Sequence, residues 1–184
     1  MKRIENYENV QASSGEFARP SAGGYVAMIT NVEDVPLNPN TNKGDYLKIE
    51  YDFAEGEFFA YFSDFNKKFG YWHRSGSFLK SYKETALGIF KHFTNCIEKS
   101  NDGYVWNFEE KTLIGKQIGL VLGEEEYIAN DGIIKTRLYV ADVRSVEQIR
   151  NGDFRTPALK KIKQEEQGFV DISNNGTTDE ALPF

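Results

Sequence analysis

The sequence predicts an all-β fold with one helix: a five-stranded Greek-key barrel, the OB-fold, with its helix between the third and fourth strands. Three observations predict it. Three segments of strand character come first, one segment of helical spacing follows, and two more strand segments complete the domain. Few small architectures place a single long helix at that point, and a parallel α/β sheet would alternate strands with helices instead. The length agrees, since 184 residues supply one core of ordinary size with sequence to spare. No internal repeat at a fixed period is visible.

Residues 1–22 are polar and carry Ser, Gly and Pro, so they read as an N-terminal arm. The barrel is expected over residues 23–150. Its first strand, 25–32, is rich in β-formers and runs into the turn-forming stretch 36–44. The second, 46–53, alternates cleanly. Leu47, Ile49, Tyr51 and Phe53 share one face, while Tyr46, Lys48, Glu50 and Asp52 share the other. A turn at Ala54-Glu55-Gly56 leads to the expected third strand, 58–62.

Over 77–99 the period changes. Phe78, Leu79, Tyr82, Ala86, Ile89, Phe90, Phe93 and Ile97 recur at spacings near three and four, as on an amphipathic helix. Ser77 suits its start and Asn101-Asp102-Gly103 its end. The fourth strand is expected at 116–122. Glu124-Glu125-Glu126 then reads as solvated surface before the turn Asn130-Asp131-Gly132, and the fifth strand spans 133–143. Past Gly152 periodicity stops, and 151–184 are expected to form a flexible tail.

Aromatic residues make up 14% of the chain, 14 Phe and 10 Tyr among them, more ring surface than a small core needs. With one cysteine, Cys96, neither an internal disulfide nor a thiolate zinc site is possible, and the residue is expected to be buried as a small apolar group. No signal peptide and no membrane-length apolar run are visible, so a cytoplasmic protein with no membrane partner is expected. The net charge of −6 looks wrong for a binder of nucleic acid. Its distribution reverses that inference. Residues 164–184 hold five acids and no Lys or Arg, which leaves 23 acids against 22 bases in the remainder. A near-neutral body can still present a basic face.

Binding a single strand without sequence preference takes cations along the phosphates and flat rings under the bases. The segment 65–74 offers both. It carries Lys67, Lys68 and Arg74 among Phe65, Phe69, Tyr71 and Trp72. Burying every ring here would bury the cations too, which is costly unless they are paired. Packing of Phe65, Phe69 and Trp72 on the barrel end, with solvated cations, is the competing reading. An OB-fold binds nucleic acid across its second and third strands, flanked by two loops. Tyr46, Lys48 and Tyr61 are expected on that track, and Lys135, Arg137 and Tyr139 on the outer face of the fifth strand. Ordinary cross-strand pairing would also account for those Lys and Tyr neighbours. His73 and His92 show no metal-ligand spacing, and no cofactor is expected.

The chain ends on Asp179-Glu180-Ala181-Leu182-Pro183-Phe184, acids followed by two apolar side chains and a proline. Such an end suits a pocket that takes the last ring in an apolar hole and the terminal carboxylate on a basic residue. It resembles the acidic tip of bacterial single-stranded DNA-binding proteins. The stretches 24–29, 43–51 and 113–116 resemble the single-stranded DNA-binding proteins of phages and mobile elements of Gram-positive bacteria. The long helix, the 65–74 loop and the missing Gly/Gln-rich linker set the chain apart from the housekeeping bacterial protein. The resemblance implies sequence-nonspecific binding of single-stranded DNA, in the bacterial host cytoplasm. It also implies recruitment of replication, recombination and repair proteins by Asp179, Glu180, Leu182, Pro183 and Phe184. A homo-oligomer is compatible with it.

Catalysis is not expected. The sequence has no G-x-S-x-G, no Walker loop, no paired His and no Cys–His arrangement. The alternative to a DNA binder is an OB-like protein-interaction module, a recombination accessory or phage structural factor, because fold does not fix function.

Overall fold

A computed structural model describes residues 18–41 and 43–162. Five strands, β1 (Gly23–Val35), β2 (Tyr46–Phe53), β3 (Ser77–Ser81), β4 (Gln117–Ile128) and β5 (Ile134–Arg144), pair antiparallel into one sheet. Their order is β3-β2-β1-β4-β5. Three helices accompany them: α1 (Tyr61–Phe69), α2 (Leu87–Ser100) and the short α3 (Val146–Arg150). This is a mostly antiparallel open sheet with few helices, the all-β class that the sequence predicts. No helix among the described residues is long and apolar enough to cross a membrane.

The alternation of β2 builds the core. Leu47, Ile49, Tyr51 and Phe53 are fully buried against Ile29 and Val32 of β1, Ile118 and Leu120 of β4, and Phe93 and Ile97 of α2. Cys96 is buried there as expected, and burial pushes its thiol pKa up. A bulge at Thr30 bends β1 between its pairings with the two ends of β2.

Two elements differ from the sequence expectation. Residues 58–62 are not the third strand; they form a turn and the start of α1. Asp52, at the end of β2, causes this. Its Oδ1 accepts the Phe62 N–H at 2.9 Å and its Oδ2 the Ser63 N–H at 2.8 Å, so a carboxylate sits on the helix N-terminus. Asp52 is only 4% exposed, and it also accepts the Phe53 N–H. The expected 77–99 helix starts ten residues late. Its first five residues are instead the true third strand, because the free edge of β2 takes them as β3, with Ile49 opposite Phe78 and Lys48 opposite Leu79. Ser77 does not start α2, whose N-cap is Ala86; it closes the 3-10 turn before β3, its hydroxyl donating to the Arg74 carbonyl.

Smaller differences follow further along the chain. Glu124, Glu125 and Glu126 lie inside β4, which runs longer than expected, and each is half-buried. α3 was not expected. Its capping box pairs Ser145 with Gln148, and Val146 and Ile149 pack on Val26 and Val121. Between α3 and residue 162 the chain, expected to be the start of a flexible tail, stays on the body; the rest of that expected tail lies outside the described residues. Phe154 packs on Gly24, where any Cβ would run into its ring, and Lys160 exchanges backbone hydrogen bonds with Glu124 and Glu126.

Asp52→Ala removes three hydrogen bonds to a carboxylate and uncaps α1. We expect a loss of about 2 kcal/mol in urea unfolding, with the m-value unchanged.

Candidate functional site

The expected site residues that are described fall into three groups, two on the sheet and one on α1 and the turn behind it. On the outer face of β2, Lys48 stands between Glu33 and Leu79 in the strand register. Its Nζ lies 3.0 Å from Glu50 Oε1 and 3.5 Å from Glu33 Oε2. The Glu50 hydrogen bond holds the ammonium above the usual lysine range. A phosphate arriving here must displace carboxylates. Tyr46, two residues back on the same face, is half-buried opposite Ser81.

The second group lies on α1 and the turn behind it. Phe58, Tyr61, Phe62, Phe65 and Phe69 follow helical spacing. Tyr61 and Phe62 turn inward onto Phe53, with ring centroids 6.4 and 5.3 Å away. Tyr61 was expected on a strand facing a DNA track; it opens α1, with its ring edge-on to Phe58. Phe65 gathers Phe69, Tyr71 and His73 at 4.5, 5.3 and 4.8 Å. Phe69 and Tyr71 are the outermost of these, 52% and 59% exposed.

Trp72 is anchored instead. Its Nε1–H donates to the Gly76 carbonyl at 2.9 Å and its ring leans on Phe62. The cations ring this cluster: Lys68 Nζ lies 5.3 Å from the Phe69 centroid, Lys67 holds Asp64 at 2.9 Å, and Arg74 is exposed on a 3-10 turn. His73 accepts the Ser75 N–H on Nδ1; burial, and then the Arg19 charge, keep its pKa low and the ring neutral. The buried Tyr51 hydroxyl donates to the Ser75 carbonyl at 2.8 Å. Asp52 and Tyr51 therefore tie both ends of this segment to β2.

The third group is the β4–β5 hairpin. Register places Tyr127 opposite Lys135, Glu125 opposite Arg137 and Gly123 opposite Tyr139 on one face. Arg137 Nε bonds Glu125 at 2.7 Å while its guanidinium lies 5.2 Å from the Tyr127 ring centre. Lys160 Nζ sits 3.6 Å over Tyr139. Lys135 is tied to Asp131, whose carboxyl is held below its usual range mainly by that bond. Tyr127 and Lys160 escaped sequence reading. Extending the alternation of β4 past Gly123 would have found the first; the second belongs to a basic stretch, Arg155, Lys160, Lys161 and Lys163, that the sequence shows but does not place on the sheet.

The expected tip residues Asp179, Glu180, Leu182, Pro183 and Phe184 lie outside the described residues. Comparison with protein-family models and with curated proteins finds no match to the chain.

Gly123 is closed on both sides. An added Cβ would stand 2.7 Å from both Pro157 Cγ and Tyr139 Cζ. Gly123→Ala is expected to lift residues 157–160 off β4, at a cost of about 1–3 kcal/mol. Faster amide hydrogen exchange at Lys160 and Glu126, with β1 and β2 still protected, is the outcome that checks it.

Proposed function

We propose that the chain is a sequence-nonspecific single-stranded DNA-binding protein built on an OB-fold. In this reading it works in a bacterial cytoplasm, protects exposed strands, and recruits replication and recombination proteins through its C-terminal tip. The strand order supports the fold. A β1-β2-β3 meander, β4 paired back onto β1, and α2 between β3 and β4 match a partly open five-stranded Greek-key barrel. The resemblance to phage and mobile-element binders of single strands rests on the stretches named above and agrees with this order.

The observation that carries the reading is the pair of exposed rings. Phe69 and Tyr71 stand exposed, with Lys68 over Phe69 and the exposed Arg74 three residues on from Tyr71, on a segment held at both ends by buried hydrogen bonds. Apolar rings held outward next to cations, on a braced segment, are what base stacking requires. The Tyr127–Arg137 and Tyr139–Lys160 pairs extend the same chemistry along the hairpin.

A protein-interaction barrel is the second reading, and one observation favours it. Lys48 is neutralised by two carboxylates on the β2 face, while Ile128, Ile133 and Ile134 are exposed around the hairpin tip. Equilibrium binding to oligo-dT separates the two. The DNA reading expects binding that weakens as salt rises. Phe69→Ala with Tyr71→Ala should then cost about 2–6 kcal/mol, since each stacked base contributes about 1–3 kcal/mol. No binding at low salt would leave the protein-interaction reading standing.

A further inference from the structure

β3 and β5 are the two outer strands of the sheet, each bonded to one neighbour, and they approach each other without pairing. Between them and α2 runs a groove of about 450 Å³. Lys80, opposite Leu47 in the register, faces inward into this seam. Its ammonium lies 5.5 and 5.7 Å from the centres of Phe78 and Phe93. Among the described residues no carboxylate stands within ion-pair distance of it. The acid that shares the groove, Asp142, is engaged elsewhere: Arg144 Nη1 bonds its Oδ2 at 2.6 Å and the Val143 N–H bonds its Oδ1. His92 lines the same wall, with Nε2 3.0 Å from the Val143 carbonyl oxygen.

A largely desolvated ammonium without an acceptor is costly, and burial holds the Lys80 pKa below the usual lysine range despite the pull of Asp142. The other polar groups near the groove differ from it. Arg144 already has its carboxylate, and the Cys96 thiol is buried behind His92 at 3.7 Å. An oxyanion entering the groove would supply the missing acceptor, and the edge N–H groups of β3 and β5 that face away from their one bonded neighbour are a second source of donors.

We propose that this groove is an anion subsite in which Lys80 takes one phosphodiester of a bound single strand as it passes over the β3–β5 seam. The assignment rests on the DNA-binding reading for the source of the phosphate, and on the groove alone for the site.

The test has two arms. In the first, wild-type protein labelled with ¹³C-lysine is titrated with inorganic phosphate. The Lys80 side-chain resonance should shift saturably and its pKa should rise. An unmoved Lys80 overturns the site. In the second, oligo-dT affinity is measured across a salt series for wild type, Lys80→Met and Lys80→Arg. Lys80→Met, which keeps the stem and loses the charge, should weaken binding about 5–10-fold. It should also flatten the log K against log salt slope by about 0.7, the value for one phosphate contact on a single strand, while Lys80→Arg keeps the slope. An unchanged slope in Lys80→Met overturns the phosphodiester assignment. Phosphate binding at Lys80 without any oligo-dT binding would retain the subsite and remove the DNA reading. Oligo-dT binding with a silent Lys80 in both arms would do the reverse.

Discussion

The ring-bearing segment depends on two adjacent residues at the end of β2. Tyr51 and Asp52 point to opposite faces of the strand, as neighbours must. Tyr51 goes into the core and donates its hydroxyl to the Ser75 carbonyl; Asp52 goes outward and takes the N–H groups of Phe62 and Ser63. One strand end thus fixes both the entry and the exit of residues 61–76. Asp52 is nearly fully buried with no ion pair among the described residues, so its charge is balanced by backbone dipoles at the start of α1. Tyr51 is buried deeply enough that its pKa is driven far up, which keeps the hydroxyl a donor at any ordinary pH. The outward rings Phe69 and Tyr71 owe their fixed position to these bonds. A flexible loop would have to be ordered on binding, at a cost that this segment has already met in folding.

How much of this was legible in the sequence depends on where strand alternation survives. In β2 it is unbroken, and every inward residue from Leu47 to Phe53 is buried as read. The β4–β5 hairpin was legible in the same way, although its length was not, because three consecutive acids resemble loop surface. Their neighbours explain the discrepancy: Glu125 is held by Arg137, and Glu126 accepts the Ile162 N–H. Charge that is paired across a hairpin is compatible with a strand.

The 54–86 region misled for a physical reason. Phe58 to Phe62 is almost continuously apolar, and a short apolar run has no period with which to choose between helix and strand. What decided it was the Asp52 carboxylate, which follows from tertiary position. Counting on from Phe58 through Phe62, Phe65 and Phe69 does give a helical stripe, and that signal was available. For β3 the reverse holds. Phe78 and Leu79 fit a helix by spacing, but the exposed edge of β2 gains more from a second neighbour than the segment gains from a longer helix. Lys80 is the consequence that no sequence pattern indicates: an apparent helix-surface lysine becomes an inward one when its segment is a strand.

The cations of the site also differ in what surrounds them. Lys48, Lys67, Lys135 and Arg137 each hold a carboxylate within 3.0 Å in the unbound protein. Exposed pairs of this kind contribute about 0–1 kcal/mol, so a phosphate can exchange for the carboxylate at little cost, and with correspondingly little gain. These residues are suited to setting the path of a strand over the surface. Phe69 and Tyr71, already organised and solvent-facing, are better placed to supply binding energy. Lys80 stands apart from both groups, since among the described residues it has rings around it and no carboxylate to exchange. A near-neutral body with most of its cations internally matched can therefore bind a polyanion through stacking, with charge contributing mainly where it is unmatched.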